Sequence, residues 1–263
     1  MLETSRINKI AQHLFDCHSS KLKFENLTKE LAPSSVSDAY KVQQKLIKLW
    51  EHGGRGPVVG YKIALTSKAI QELVGVDKPV GAAIFESTIH QSPAEINLDS
   101  YLRLGLEFEL AFRMGKDVPI DTRYNSNSIC DFLDAVMPAF ELIEDRDADY
   151  SNLDPMTLIA DNAWCGGVVL GAPSCDWNKI DLSSTPVSLS FNDSIEKATT
   201  GAAMGNPLNS LAWLANLLSE QGRPLKRGDI VMSGSTLATK FMKRGDHAIY
   251  AIEGIGSVEM RIK

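Results

Sequence analysis

The sequence predicts an α+β protein, with a helical N-terminal portion (residues 1–56) against a β-rich body (residues 57–263). Two observations predict this. Apolar residues recur at helical spacing through the first fifty positions, and from Pro57 onward short strand-like stretches alternate with turn residues. The length of 263 residues, with 44% hydrophobic and 23% charged residues, suits one sizeable core.

Ile7, Ile10, Ala11, Leu14 and Phe15 mark the first helix. The run Pro33-Ser34-Ser35-Val36-Ser37-Asp38 offers N-caps for a second, whose face is Ala39, Val42, Leu46, Leu49 and Trp50 and whose stop is Gly53-Gly54. Val58 to Leu65 reads as a strand and Ser67 to Val74 as a short helix. Leu102 to Met114 is the clearest strand, with Leu104, Leu106, Phe108, Leu110 and Phe112 alternating with Arg103, Gly105, Glu107, Glu109 and Ala111. A helix is expected over Ser128 to Val136, broken at Pro138, then strands at Ala139 to Ile143 and Gly166 to Leu170. Pro186 to Phe191 and Glu196 to Ala202 form a hairpin across Asn192-Asp193-Ser194. Asn206-Pro207 caps a helix that carries Leu208, Leu211, Ala212, Ala215 and Leu218 and ends at Gly222. Asp229 to Lys263 is strand-rich.

The net charge of −6 argues against a nucleic-acid partner, but not against a small anionic substrate beside a bound cation. The start of the chain has no signal-peptide pattern, and the longest uncharged stretch, Asn162 to Pro173, is too short to span a bilayer. Cys17, Cys130, Cys165 and Cys175 are scattered without metal-ligand spacing. The expectation is a cytoplasmic protein with reduced thiols and no membrane partner.

Strand alternation puts Glu107 and Glu109 on one face, about 6–7 Å apart at Cα, so their carboxylates can converge on a hard cation such as Mg²⁺ or Mn²⁺. A solvent-facing strand edge would carry the same pair. Glu141 strengthens the metal reading, because it sits in the apolar stretch Ala139-Phe-Glu-Leu-Ile143, where a charge needs a ligand or a partner such as Arg146. Lys62 interrupts a strand otherwise free of charge; it suits holding a carboxylate or handling a proton, or it snorkels. Asp161-Asn162 reads as a turn or as polar groups aimed at a ligand, and Gly234-Ser235-Thr236 as a turn or as a carboxylate cradle. None of the five histidines stands in a catalytic pattern, and there is no nucleophile elbow or phosphate loop.

Together these segments resemble the 2-keto-4-pentenoate hydratase and 4-oxalocrotonate decarboxylase family of the fumarylacetoacetate hydrolase superfamily. The resemblance runs through Ser37-Asp-Ala-Tyr-Lys-Val-Gln43, Gly60-Tyr-Lys-Ile-Ala-Leu-Thr-Ser67, Gly75-Val-Asp-Lys-Pro79, Glu107-Phe-Glu-Leu-Ala-Phe112 and Pro138-Ala-Phe-Glu141. It continues in Ala160-Asp-Asn-Ala163, Gly234-Ser235, Gly245-Asp246 and Gly254-Ile-Gly-Ser-Val258. It implies a mixed β-sandwich roll, a metal triad of Glu107, Glu109 and Glu141, an active-site Lys62, an acidic Asp77 near the substrate and a carboxylate-contacting Ser235. It further implies a small unsaturated 2-oxo acid as substrate and a homo-oligomer, or association with a sister hydratase or decarboxylase subunit. Hydration of a 2-hydroxy-2,4-dienoate is the favoured reaction, with decarboxylation of a 4-oxalocrotonate-like substrate or a non-catalytic partner role as alternatives. Ala64 and Trp164-Cys165 depart from the family pattern, and the His–Glu lid pair of the superfamily's hydrolases is not found.

Overall fold

The computed structural model describes residues 2–67, 71–72 and 74–263. Two helices lead. Helix α1 (Thr4–Ser19) buries Ile10, Ala11 and Leu14; α2 (Val36–Trp50) starts where the Ser35 side chain accepts the Asp38 N–H. The middle of the expected helix from Ser67 to Val74 falls outside the described residues.

Strands β1 (Val58–Ala64), β2 (Val80–Phe85), β3 (Ile89–Gln91), β5 (Leu104–Met114), β6 (Leu133–Glu144), β7 (Cys165–Leu170), β10 (Ile230–Met232) and β11 (Lys240–Phe241) form one sheet. Its order is β2-β1-β10-β5-β6-β7-β3, with β11 also pairing β5. A second sheet runs β4-β13-β12-β8-β9, from β4 (Ala94–Ile96), β8 (Pro186–Phe191), β9 (Ser194–Thr199), β12 (His247–Ile252) and β13 (Gly256–Ile262). Short helices α3 (Ser126–Ile129) and α4 (Pro155–Ala160) and the longer α5 (Pro207–Glu220) complete the fold. Helix α5 begins as its sequence requires: Asn206 accepts the Leu208 N–H and Pro207 occupies the first turn.

The apolar row of β5 packs toward the second sheet, where Phe108, Phe140 and Tyr250 meet with ring centroids 5.9–6.5 Å apart. The opposite face of β5 must therefore turn away from that sheet, and there the first sheet curls. Asn162, just before β7, hydrogen-bonds Ala83 of β2, although β2 and β7 lie far apart in strand order. The helical N-terminal region and the sheets share one buried cluster that runs from Ile10 to Ile262.

Two sequence expectations are corrected. Ser128 to Val136 is not an α-helix beyond Ile129: a 3₁₀ turn (Cys130–Phe132) follows, and β6 starts at Leu133 and continues through Pro138, paired with β5 across one register shift between Arg113 and Met114. Long-range pairing overrides the local helical pattern. Pro138 is tolerated because the β7 ladder ends at Ala139; beyond it Pro138 serves only as an acceptor, from the Gly171 N–H. The second hairpin strand is Ser194–Thr199, since Thr200–Ala202 turns into a 3₁₀ turn.

Candidate metal centre

The register of β5 and β6 sets Glu107 directly opposite Glu141, with Glu109 two residues along on the same face. One carboxylate oxygen from each of the three lies within 4.8 Å of the others. Glu109 and Glu141 are fully buried and Glu107 is half-buried. Lys62 on β1 is buried as well, and its Nζ lies 2.8 Å from Glu141 Oε1. In a flat sheet β1 and β6, three strands apart, would stand about 14 Å from each other. The contact exists because the curl turns these side chains into a shared interior.

Around the carboxylates, the Gly234 N–H donates to Glu109 Oε2 at 2.7 Å and the Thr239 hydroxyl to Glu107 Oε1 at 2.8 Å. Gly234 has φ +104°, and a Cβ there would come 2.6 Å from Thr66 Cγ2, so only glycine lets this N–H reach the carboxylate. Glu109 Oε1 and Glu141 Oε2 are buried without a hydrogen-bond partner among the described residues. Burial, then the neighbouring Glu141 and Glu107, push the Glu109 carboxyl well above the usual range. Burial likewise pushes Glu141 up to about 7, although Lys62 pulls the other way. For Lys62, burial opposes the charge, but Glu141 first, with Cys165 and Glu107, holds the ammonium above the ordinary lysine range. Orphaned, mutually repelling carboxylate oxygens at this separation fit a hard divalent cation, whose charge would satisfy all three at once.

The centre opens on a cavity of about 680 Å³ lined by Lys62, Glu107, Ser235 and Thr239, and by Tyr150 and Trp164. Ser235 thus reaches the cavity, but its hydroxyl is engaged by backbone, accepting from the Phe108 N–H and donating to the Leu237 carbonyl. Asp77 lines a separate groove with Tyr40, Lys78, Arg123 and Trp213. Asp161 does not face the cavity: it is fully buried, 2.7 Å from both His18 Nε2 and an Arg146 guanidinium nitrogen. Asn162 uses its amide to bracket Ala83, accepting from its N–H and donating to its carbonyl.

These two residues shape the site from behind. Asn162, Ala163 and Trp164 all have positive φ, between 44° and 58°, a strained turn that needs outside anchors. Asp161 and Asn162 are those anchors, and Trp164, two residues on, forms cavity wall. Cys165, although close to Lys62 and Glu141, stays a thiol, because burial pushes it up to about 12. Sequence reasoning missed His18, Thr239 and Tyr150. No local pattern marks His18 and Thr239, since their partners lie 143 and 132 residues away.

Fold and site together define a curled β-sandwich with a carboxylate centre of the type that holds a divalent cation. The chain belongs to the fumarylacetoacetate (FAA) hydrolase C-terminal family, whose profile matches residues 66–263. It is similar to a 2-keto-4-pentenoate hydratase of Paraburkholderia xenovorans (strain LB400), 34% identical over 94% of this chain and 91% of the relative. It is also similar to a 2-oxo-hept-4-ene-1,7-dioate hydratase of Escherichia coli, 31% identical over 96% of each chain. The 4-oxalocrotonate decarboxylase from Pseudomonas putida G7, solved with magnesium and adipate, superposes with a TM-score of 0.91 at 25% identity, covering 100% of this chain and 99% of that one.

Proposed function

We propose that the protein is a divalent-metal-dependent hydro-lyase that adds water to a 2-hydroxy-2,4-dienoate to give a 4-hydroxy-2-oxo acid. Glu107, Glu109 and Glu141 would hold Mg²⁺ or Mn²⁺. The observation that carries this reading is the pair of buried, unpartnered oxygens on Glu109 and Glu141 beside Glu107. When bound, the cation supplies Lewis-acid stabilisation of negative charge developing on the 2-oxo oxygen.

The chain's own residues supply the rest. Lys62 fixes Glu141 through its 2.8 Å contact and presents a positive charge at the cavity floor, where it can hold the substrate carboxylate or a proton in transit. Gly234 and Thr239 fix Glu109 and Glu107 by one hydrogen bond each, so the three carboxylates are oriented in advance. Ser235 lines the cavity and is the further candidate for contacting the substrate carboxylate, by turning its hydroxyl from the Leu237 carbonyl. In this reading Lys62 is the proton handler rather than Asp77, because Asp77 opens on the other groove. Asp161 and Asn162 act on the substrate only through the wall they anchor.

The same reading expects a cytoplasmic homo-oligomer, or assembly with a sister hydratase or decarboxylase subunit, which light scattering with and without the sister chain tests. No helix among the described residues is long and apolar enough to cross a membrane. Decarboxylation of a 4-oxalocrotonate-like acid is the second reading, favoured by the close superposition on the decarboxylase. Incubation with 2-hydroxypenta-2,4-dienoate and Mg²⁺ or Mn²⁺ separates them. Loss of diene absorbance that chelator abolishes supports hydration; CO₂ release from 4-oxalocrotonate without diene loss supports decarboxylation.

A further inference from the structure

We propose that the cavity selects 2-oxo acids whose far end is an uncharged, apolar group, and that Trp164 is the residue setting this specificity. The inference rests on the reading of the centre as a 2-oxo-acid site.

The lining divides by chemistry and by origin. Its charged groups, Lys62 and Glu107, stand on the curled sheet, and Ser235 and Thr239 on the loop beside it. Leu153, Leu158 and Trp164, from the stretch around α4, make a wall of carbon, which Leu65 and Val74 extend beside Thr66 and Ser67. A volume of about 680 Å³ falls in the range that encloses a drug-sized ligand, far more than a five-carbon acid fills. An apolar substituent would cover this wall and exclude water from it, worth about fourfold per added carbon. A distal carboxylate there would lose its hydration without gaining a counter-charge from the described residues. Lys62 is the one cationic group lining the cavity among the described residues, and it stands beside the carboxylate triad, where the 2-oxo acid's own carboxylate would sit.

Trp164 gives this wall its shape because it cannot easily move. It is 7% exposed, and Phe24 and Tyr150 meet its ring edge-on at centroid distances of 5.2 and 5.3 Å. Its backbone lies in the left-handed turn that the buried Asn162–Ala83 hydrogen bonds and the His18–Asp161–Arg146 cluster lock in place. A wall held this way discriminates shape instead of adapting to it.

Saturated 2-oxo acids read binding without turnover. Calorimetry on the metal-loaded protein should show 2-oxooctanoate binding at least about tenfold tighter than 2-oxopentanoate, and at least about tenfold tighter than 2-oxooctanedioate of equal length. Trp164→Ser should shrink both ratios below about threefold. Trp164→Phe loses no hydrogen bond, since the indole N–H has no partner among the described residues, and should keep both ratios. The dioate binding as tightly as 2-oxooctanoate, or Trp164→Ser keeping full discrimination while Trp164→Phe is folded, overturns the inference. A parallel diene assay keeps the two readings apart. Ordered binding without hydration sinks only the hydratase reading, and hydration without ordered binding sinks only this one. If no 2-oxo acid binds, both fall.

Discussion

Glu109→Gln separates the charge of the centre from its shape. The glutamine keeps an oxygen to accept the Gly234 N–H and places an amide where Glu109 Oε1 now stands without a partner. That amide can donate to Glu141 Oε2, so in the metal-free protein the variant removes one orphaned acceptor, satisfies another and removes a charge. Relief of a buried unsatisfied group is worth about 1–3 kcal/mol, and at about 2–4 °C per kcal/mol the melting temperature in chelator should rise by roughly 2–12 °C. The gain should grow with pH. The folded carboxyl of Glu109 lies above its ordinary value, so its contribution is complete below about pH 4.3 and is lost as pH rises through the folded value. Glutamine cannot lose it.

With metal the order should reverse. At a hundredfold excess over Kd, wild type gains about 2.7 kcal/mol from the ion, a shift of roughly 5–11 °C. Glu109→Gln should lose most of that shift and about 100-fold or more of turnover. Differential scanning fluorimetry in EDTA and in MgCl₂ or MnCl₂, at pH 5.5 and pH 8, reads all of this in one plate. A variant that melts lower than wild type in EDTA yet keeps the metal shift would show that the three carboxylates do not act as one site.

Three further perturbations test the supports of the centre. Lys62→Met strands Glu141 without its cation and should cost about 3–5 kcal/mol in chelator, measured by urea unfolding, with part of the loss recovered on adding Mn²⁺. Gly234→Ala forces a Cβ against Thr66 at a positive φ and shifts the N–H away from Glu109; Mn²⁺ affinity by calorimetry should fall about tenfold or more. Burial alone would raise the Asp161 carboxyl, but His18 and then Arg146 outweigh it and hold the group below the usual range. Its stabilisation is therefore present above about pH 4 and lost as pH falls through the lowered value. Asp161→Asn should cost about 3–5 kcal/mol near neutrality, with the gap to wild type closing in acid-unfolding curves below about pH 4.

What the sequence made legible follows from how local each signal is. The β5 alternation, the Asn206-Pro207 start of α5 and the Ser35 cap of α2 are written within a few residues, and the structure repeats them. Glu141 and Lys62 were conspicuous because each puts a charge inside an apolar run, and the structure pairs them with each other. Their alternatives, an Arg146 partner and a snorkelling stem, do not occur: Arg146 holds Asp161, and Lys62 is 2% exposed. Gly234 was legible as a cradle for a carboxylate, although the carboxylate is that of Glu109. The start of β6 and the burial of Asp161 were not legible. The first depends on pairing with β5 from Met114 back to Leu104, the second on a histidine 143 residues away.

The register of β5 and β6 also explains why such a centre is hard to read as an accident of folding. Like charges directly opposite on antiparallel strands destabilise a sheet, and burying them without water adds to the penalty. The structure nevertheless supplies Lys62 across the curl, a glycine at a positive φ that side chains rarely adopt, and a threonine hydroxyl, one for each carboxylate. Three separate parts of the chain thus hold the acids in place without neutralising them: one ammonium faces three carboxyl groups, and two oxygens remain unpartnered among the described residues. The remaining negative charge is the quantity a divalent ion would balance, and the cavity beside it is where the oxygens of a bound acid could complete the ion's coordination.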